Sequence, residues 1–207
     1  MKKFCIVAVD YEHHVPRTGK TPSIQTGLQS IANQTFRDFN IVICHDGPKE
    51  KTYEEEGIDF KALGIEPILI NTEKRMNDWG HSSRDLAMKY AYENNLGEYY
   101  IQFNIDNLLY KNALEYLNDE IDKTTKNIFL FSIIHHVIGA VVSGHRPVFH
   151  KTDALQVVAH RDVWKEYGFW KDKRYDSDGY IYTSMCAYLP DGETNYHGIL
   201  EVLGENF

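Results

Sequence analysis

The sequence predicts an α/β protein: a mostly parallel sheet with helices on both faces, followed by a smaller α+β half. Three observations predict it. Residues 4–9 form a continuous apolar run of strand length, as expected where both faces of a strand are covered. Up to residue 123, strand-like runs alternate with helical periodicity, the pattern of repeated βα units. Beyond that point the alternation gives way to apolar runs with little between them. At 207 residues the chain is long enough for one well-formed core, so one domain with two halves, 1–123 and 124–207, is expected.

The elements follow in order. Residues 10–20 are polar and contain Pro16 and Gly19, a long loop at the carboxyl end of the first strand. Thr21-Pro22 reads as a helix cap and first helical residue. Ile24, Leu28 and Ile31 then carry a helix to about Gln34. Residues 39–44 are the second strand, closed by His45-Asp46-Gly47-Pro48. Residues 49–63 suggest a short charged helix and loop, and 67–70 a third strand. A helix is expected over 81–93, with Leu86, Tyr90, Ala87 and Ala91 on one face. The aromatic and β-branched run 99–103 is the fourth strand, and 111–123 a helix with Leu114 and Leu117 inward. In the second half, 127–135, 137–142 and 153–160 read as strands, 161–167 and 179–188 as helices, and 199–203 as a last short strand.

Composition excludes several classes. The net charge of −8 argues against a nucleic-acid partner, which calls for a basic face. No apolar run reaches transmembrane length. The basic tip and apolar run at the start meet Asp10 without a small-residue cleavage site, so they read as a strand and not a signal peptide. The three cysteines have no zinc spacing and suggest reduced thiols. A cytoplasmic protein, or one peripheral at a membrane, is expected.

The chemistry concentrates at 98–110. Asn104 and Asp106 are two residues apart, so an extended backbone would send both side chains to one face. They stand at the carboxyl end of a strand, where open α/β sheets bind ligands. The pair suits a hard divalent cation that shares a diphosphate. An Asx turn with a helix cap is the alternative. Asp46 before Gly47 is a cleft carboxylate or a plain turn residue. Residues 77–85 form a glycine-containing loop leading into Ser82, Ser83 and Arg84. A helix start with an arginine favours an anion; the alternative is a Ser82 cap beside a solvated Arg84. Asp176 and Asp178 precede a helix, as a cap or as a general base raised toward neutral pKa. His197 is a metal ligand or a surface histidine. Arg146, His150 and Lys151 form a small basic group for a phosphate or acidic acceptor; His135, His136, His145, His150 and His160 lack zinc-site spacing on a helix, and His13 and His14 sit in the first loop, where they could reach the cleft. Trp79 and Trp170 would stack on a sugar or belong to the core.

Four segments resemble glycosyltransferase family 2 in order and approximate spacing. Residues 27–43 with Cys44-His45-Asp46-Gly47-Pro48 resemble its first helix and second strand. Trp79-Gly80-His81-Ser82-Ser83-Arg84-Asp85 resembles its G-x-x-x-A-R-N segment. Residues 98–106 resemble the DXD stretch, and 163–178 the stretch that ends in its catalytic carboxylate. The resemblance implies a single GT-A domain with a nucleotide-sugar-binding half (1–123) and an acceptor-side half (124–207). It implies a nucleotide-diphosphate sugar donor, a UDP-sugar, and a glycan or other hydroxyl acceptor. It also implies an Mn²⁺ or Mg²⁺ cofactor and transfer with inversion. Carried over by position, Asp46 with Tyr11 would select the base and Arg84 would sit against the nucleotide. Asn104 and Asp106 would flank the metal and diphosphate, Asp178 would be the base, and His197 a further metal ligand. Asn104 and His45 stand where the family usually has aspartate, and the first loop is longer than usual.

Two rival readings remain. A nucleotidyltransferase would need a dense glycine-rich basic loop after the first strand, and residues 10–20 carry only Arg17, Gly19 and Lys20 of that kind. A non-catalytic nucleotide- or sugar-binding module would be favoured by Asn104.

Overall fold

Strand β1 (Lys2–Asp10) is buried on both faces, and that burial explains its unbroken apolar run. Phe4, Ile6 and Ala8 point into one core, Cys5 and Val7 into another on the opposite side. The computed structural model describes residues 1–10, 23–148, 152–187 and 195–207. On one face of the sheet lie α1 (Ile24–Ala32), the short α2 (Phe60–Leu63) and α4 (Ala113–Asp122), through Leu28, Ile31, Phe60, Leu114 and Leu117. On the other lie α3 (His81–Glu93), α5 (Arg161–Tyr167) and α6 (Ser177–Ala187), through Ala87, Met88, Trp164, Ile181 and Tyr182.

The remaining strands are β2 (Phe39–His45), β3 (Ile68–Asn71), β4 (Gly97–Asn104), β5 (Leu108–Leu109), β6 (Ile128–His135), β7 (Ala140–Val142), β8 (Val157–His160) and β9 (Tyr196–Asn206). The sheet order is β3-β2-β1-β4-β8-β6-β9-β5, with β7 beside β6. The strands β1 to β4 pair in parallel. Strand β8 is antiparallel to both β4 and β6, which turns β6 and its parallel neighbour β9 back to the direction of β1. The sheet is therefore mixed but mostly parallel. No helix among the described residues is long and apolar enough to cross a membrane.

The structure corrects several element readings. Thr21 and Pro22 lie outside the described residues; α1 begins at Ile24 and is capped by Ser23, whose side chain accepts from the Thr26 backbone. Residues 153–160 are not one strand. Asp153 opens a 3-10 turn with a reciprocal capping box to Gln156, and only β8 is extended. The last strand runs eleven residues, because β6 gives it a parallel partner along nearly its whole length. Helix α3 has the expected bounds, but Leu86 is exposed. Its inward face is His81, Ser83, Arg84, Ala87, Met88 and Ala91, because the first turn carries polar groups to the sheet's edge.

Candidate active site

The parallel register places the ends of three strands side by side. Val9 pairs with Asn104, and Asp10 with His45, so the chain leaves β1, β2 and β4 along one edge. A cavity of about 690 Å³ opens there. Its walls include Asp46, Arg84, Asn104 and Asp106 from the first half, and His135, Asp153, Asp176 and Asp178 from the second. Five expected site residues thus meet in one place: Asp46, Arg84, Asn104, Asp106 and Asp178. Tyr11, with His13, His14, His150 and Lys151, lies outside the described residues.

Asp46 holds the loop that follows β3. Its carboxylate accepts from the backbone N–H groups of Met76 (2.8 Å) and Asn77 (3.0 Å). That loop has two non-glycine residues in left-handed conformation, Asn77 (φ 53°) and Trp79 (φ 57°), followed by Gly80 (φ 79°). Gly80, not Ser82, is the N-cap of α3, and Asp78 just before it braces the first turn: its carboxylate accepts from the Ser82 backbone (3.1 Å) and hydroxyl (2.5 Å).

Arg84 is 3% exposed. It donates to the Trp79 carbonyl (3.1 Å) and to the amide oxygen of Asn104, and its guanidinium lies 5.2 Å from the Trp170 ring. Its Nε has no hydrogen-bond partner among the described residues. Burial pulls its pKa below the usual value, opposed by the nearby Tyr182 and Asp178. The amide oxygen expected to meet a cation is therefore engaged by a guanidinium. Asp106 is not on an extended backbone either. A turn follows Asn104, closed by the Asn107 N–H on the Asn104 carbonyl (2.8 Å), and this turn brings Asp106 to the cleft.

Asp178 lies in the first turn of α6. Its pKa is raised to about 6, mainly by burial and then by the neighbouring Asp153; Arg84 pulls the other way. Asp153 was not a sequence candidate. It is fixed by its capping box and by Asn206, whose amide donates to it at 2.7 Å. The D-x-x-Q spacing was the available signal. His81 also lines the cleft and was not a sequence candidate. It is stacked on Trp170, accepts from the Trp170 indole N–H (3.0 Å), and is held neutral, its pKa pushed down to about 4 by burial and by Arg84. Trp170 is fully buried and belongs to the core, whereas Trp79 is exposed at the cleft.

His197 is not brought to the cleft. It pairs with Phe129 in the β6–β9 register, in line with Val158 and Ile101, three residues short of Asn104 along the sheet. Its Nε2 meets Glu120 of α4 at 2.9 Å. Arg146 is exposed and does not line the cavity. Among the described residues, no three histidine, cysteine or carboxylate side chains gather in a way that would hold a metal by themselves.

The sheet order, the two helical layers and the cleft at the strand ends define an α/β protein of GT-A-like, Rossmann type. Structures that share this fold include S. aureus TarS, at TM-score 0.70 and 17% identity over 99% of this chain and 36% of that one. TarS 1-349 in complex with UDP matches at TM-score 0.70 and 16% identity, over 98% of this chain and 60% of that one. TarS 1-349 in complex with UDP-GlcNAc matches at TM-score 0.69 and 16% identity, over 98% and 58%. This chain thus spans about a third of TarS and about 60% of TarS 1-349. No family model matches the sequence, and no curated protein sequence matches it.

Proposed function

We propose that the chain is a glycosyltransferase that moves a sugar from a nucleotide-diphosphate donor, a UDP-sugar, to an acceptor hydroxyl with inversion. The observation that carries the reading is Asp178: a carboxylate raised to about 6, in the same cleft as a buried arginine and the end of β4. The fold it shares with TarS, solved with UDP and with UDP-GlcNAc, supports the donor class.

In this reading Asp178 accepts the proton of the acceptor hydroxyl as that oxygen bonds to the anomeric carbon. The bond from that carbon to the diphosphate oxygen breaks, and the electron pair leaves with the nucleoside diphosphate. A pKa near 6 leaves Asp178 mostly ionised at neutral pH yet basic enough to take a proton in the transition state. The positive charge of Arg84, fixed by the Trp79 carbonyl and Asn104, favours the developing diphosphate charge at no cost of reorganisation. Asp46 acts on the nucleotide side by shaping the loop between β3 and α3.

One carboxylate at the β4 end, with the Asn104 oxygen engaged by Arg84, fits a hard cation that draws most of its ligands from a diphosphate and water. Asp106 would hold such an Mn²⁺ or Mg²⁺ ion, which when bound supplies positive charge to the leaving group. His197 is too far along the sheet to join it unless β9 moves.

The test is Asp178→Asn, assayed with UDP-sugars and hydroxyl acceptors. Transfer should fall by roughly 10²–10⁴-fold while the UDP-dependent rise in melting temperature persists. Unchanged turnover would overturn the assignment.

A further inference from the structure

Trp79 is the tryptophan that the fold leaves uncovered at the cleft: it is 56% exposed, whereas Trp164 and Trp170 are both 0% exposed. Its backbone is in the left-handed region, where a bulky side chain is disfavoured. The conformation is imposed from both sides. Asp46 holds the two residues at 76 and 77, and Arg84 grips the Trp79 carbonyl. The result presents the indole toward Tyr175, itself 71% exposed, with ring centroids 5.3 Å apart and planes at 73°. Both rings line the cavity, and Tyr175 is three residues from Asp178. Strain and exposed apolar area are thus combined at one point of the cavity that Arg84 and Asp178 also line. The apolar C–H face of a pyranose ring is the complement of such a surface, because it can cover an indole while its hydroxyls stay solvated.

We infer that Trp79 and Tyr175 form an aromatic platform that binds a pyranose ring and so sets which sugar the cleft accepts. The inference rests on the nucleotide-sugar reading of the cleft and adds the residues that select its carbohydrate. The ring is the donor's sugar or the acceptor's, and the two sources separate experimentally.

Trp79 is the one tryptophan of three that solvent can reach, so acrylamide quenching of tryptophan fluorescence reports on it directly. Quenching would be measured with UDP, with UDP-sugars, and with methyl pyranosides in the presence of UDP, alongside the melting temperature; Trp79→Phe supplies the background. Protection by a UDP-sugar beyond that of UDP assigns the platform to the donor sugar. Protection by the methyl pyranoside alone assigns it to the acceptor. In either case Trp79→Ala should raise KM for that sugar about tenfold or more, and Trp79→Phe should restore part of it. A melting shift with UDP-sugars but no change in quenching overturns the platform and leaves the transferase reading intact. Protection by pyranosides without any nucleotide-dependent shift upholds the platform and overturns the donor reading. Neither effect overturns both.

Discussion

The two walls of the cleft are built differently. On the β1–β4 side the charged groups are held by nearby polar groups: Asp46 by the Met76 and Asn77 backbone, Asp78 by Ser82, and Arg84, except at its Nε, by the Trp79 carbonyl and the Asn104 side chain. On the far side two carboxylates, Asp153 and Asp178, are crowded together, and one of them is raised to about 6. A satisfied carboxylate fixes a loop, whereas a crowded, half-buried one is ready to take a proton. In the proposed transfer the first wall positions and the second reacts.

The largest expected effect falls on the reacting wall. Asp178→Asn should remove most turnover, and it should also stabilise the protein at neutral pH. The raised pKa means that the folded state disfavours the ionised form. The stability Asp178 contributes is therefore full below the ordinary carboxylate range and lost as pH rises through about 6. The variant should melt above the wild type at pH 7, by a difference of order 1–2 kcal/mol, and the gap should close near pH 4. A lower melting temperature at pH 7 would show that the carboxylate is held by attraction after all.

On the positioning wall the effects are structural. Asp46→Ala leaves two loop N–H groups unpaired and should cost about 1–3 kcal/mol by chemical denaturation, with weaker nucleotide binding. Full stability together with full binding would remove Asp46 from the loop's support. Asp153→Asn separates the two walls more finely. The asparagine oxygen still accepts from the Leu155 N–H, so the cap remains, while the charge beside Asp178 is gone together with the acceptor for the Asn206 amide. The acid limb of the pH–rate profile should move to lower pH, and a limb that stays in place would leave burial as the whole cause. The smallest effect is Gly80→Ala, at a φ of 79° with Val9 and Arg84 only 3.2 and 3.3 Å from the added carbon. A loss of about 1 kcal/mol is expected in thermal unfolding.

The same division governs what could be read from the sequence. The bounds of α3 and the strand character of β1, β2 and β4 follow from local periodicity and were legible. The meeting of Asp46, Asn104 and Asp106 was legible too, since parallel strands deliver their carboxyl ends to one edge, whereas Arg84 and Asp178, in the first turns of α3 and α6, were expected there from the family resemblance. What was not legible depends on contacts distant in sequence. His197 was a candidate ligand until the β6–β9 register set it beside Phe129 and Glu120. Asn104 reads as a ligand until α3 brings Arg84 against it. Asp153 sits within an apolar stretch whose strand-like pattern hides a capped turn, and its proximity to Asp178 arises only when α6 packs on the sheet. The Trp79 and Trp170 indoles, alike in sequence, are separated by burial alone.

The most direct measurement is the pH dependence of kcat/KM for sugar transfer in the wild type and in Asp153→Asn. The account predicts an acid limb near pH 6 in the wild type that shifts down when the neighbouring charge is removed. A wild-type limb near pH 4, unmoved by the substitution, would contradict Asp178 as the base.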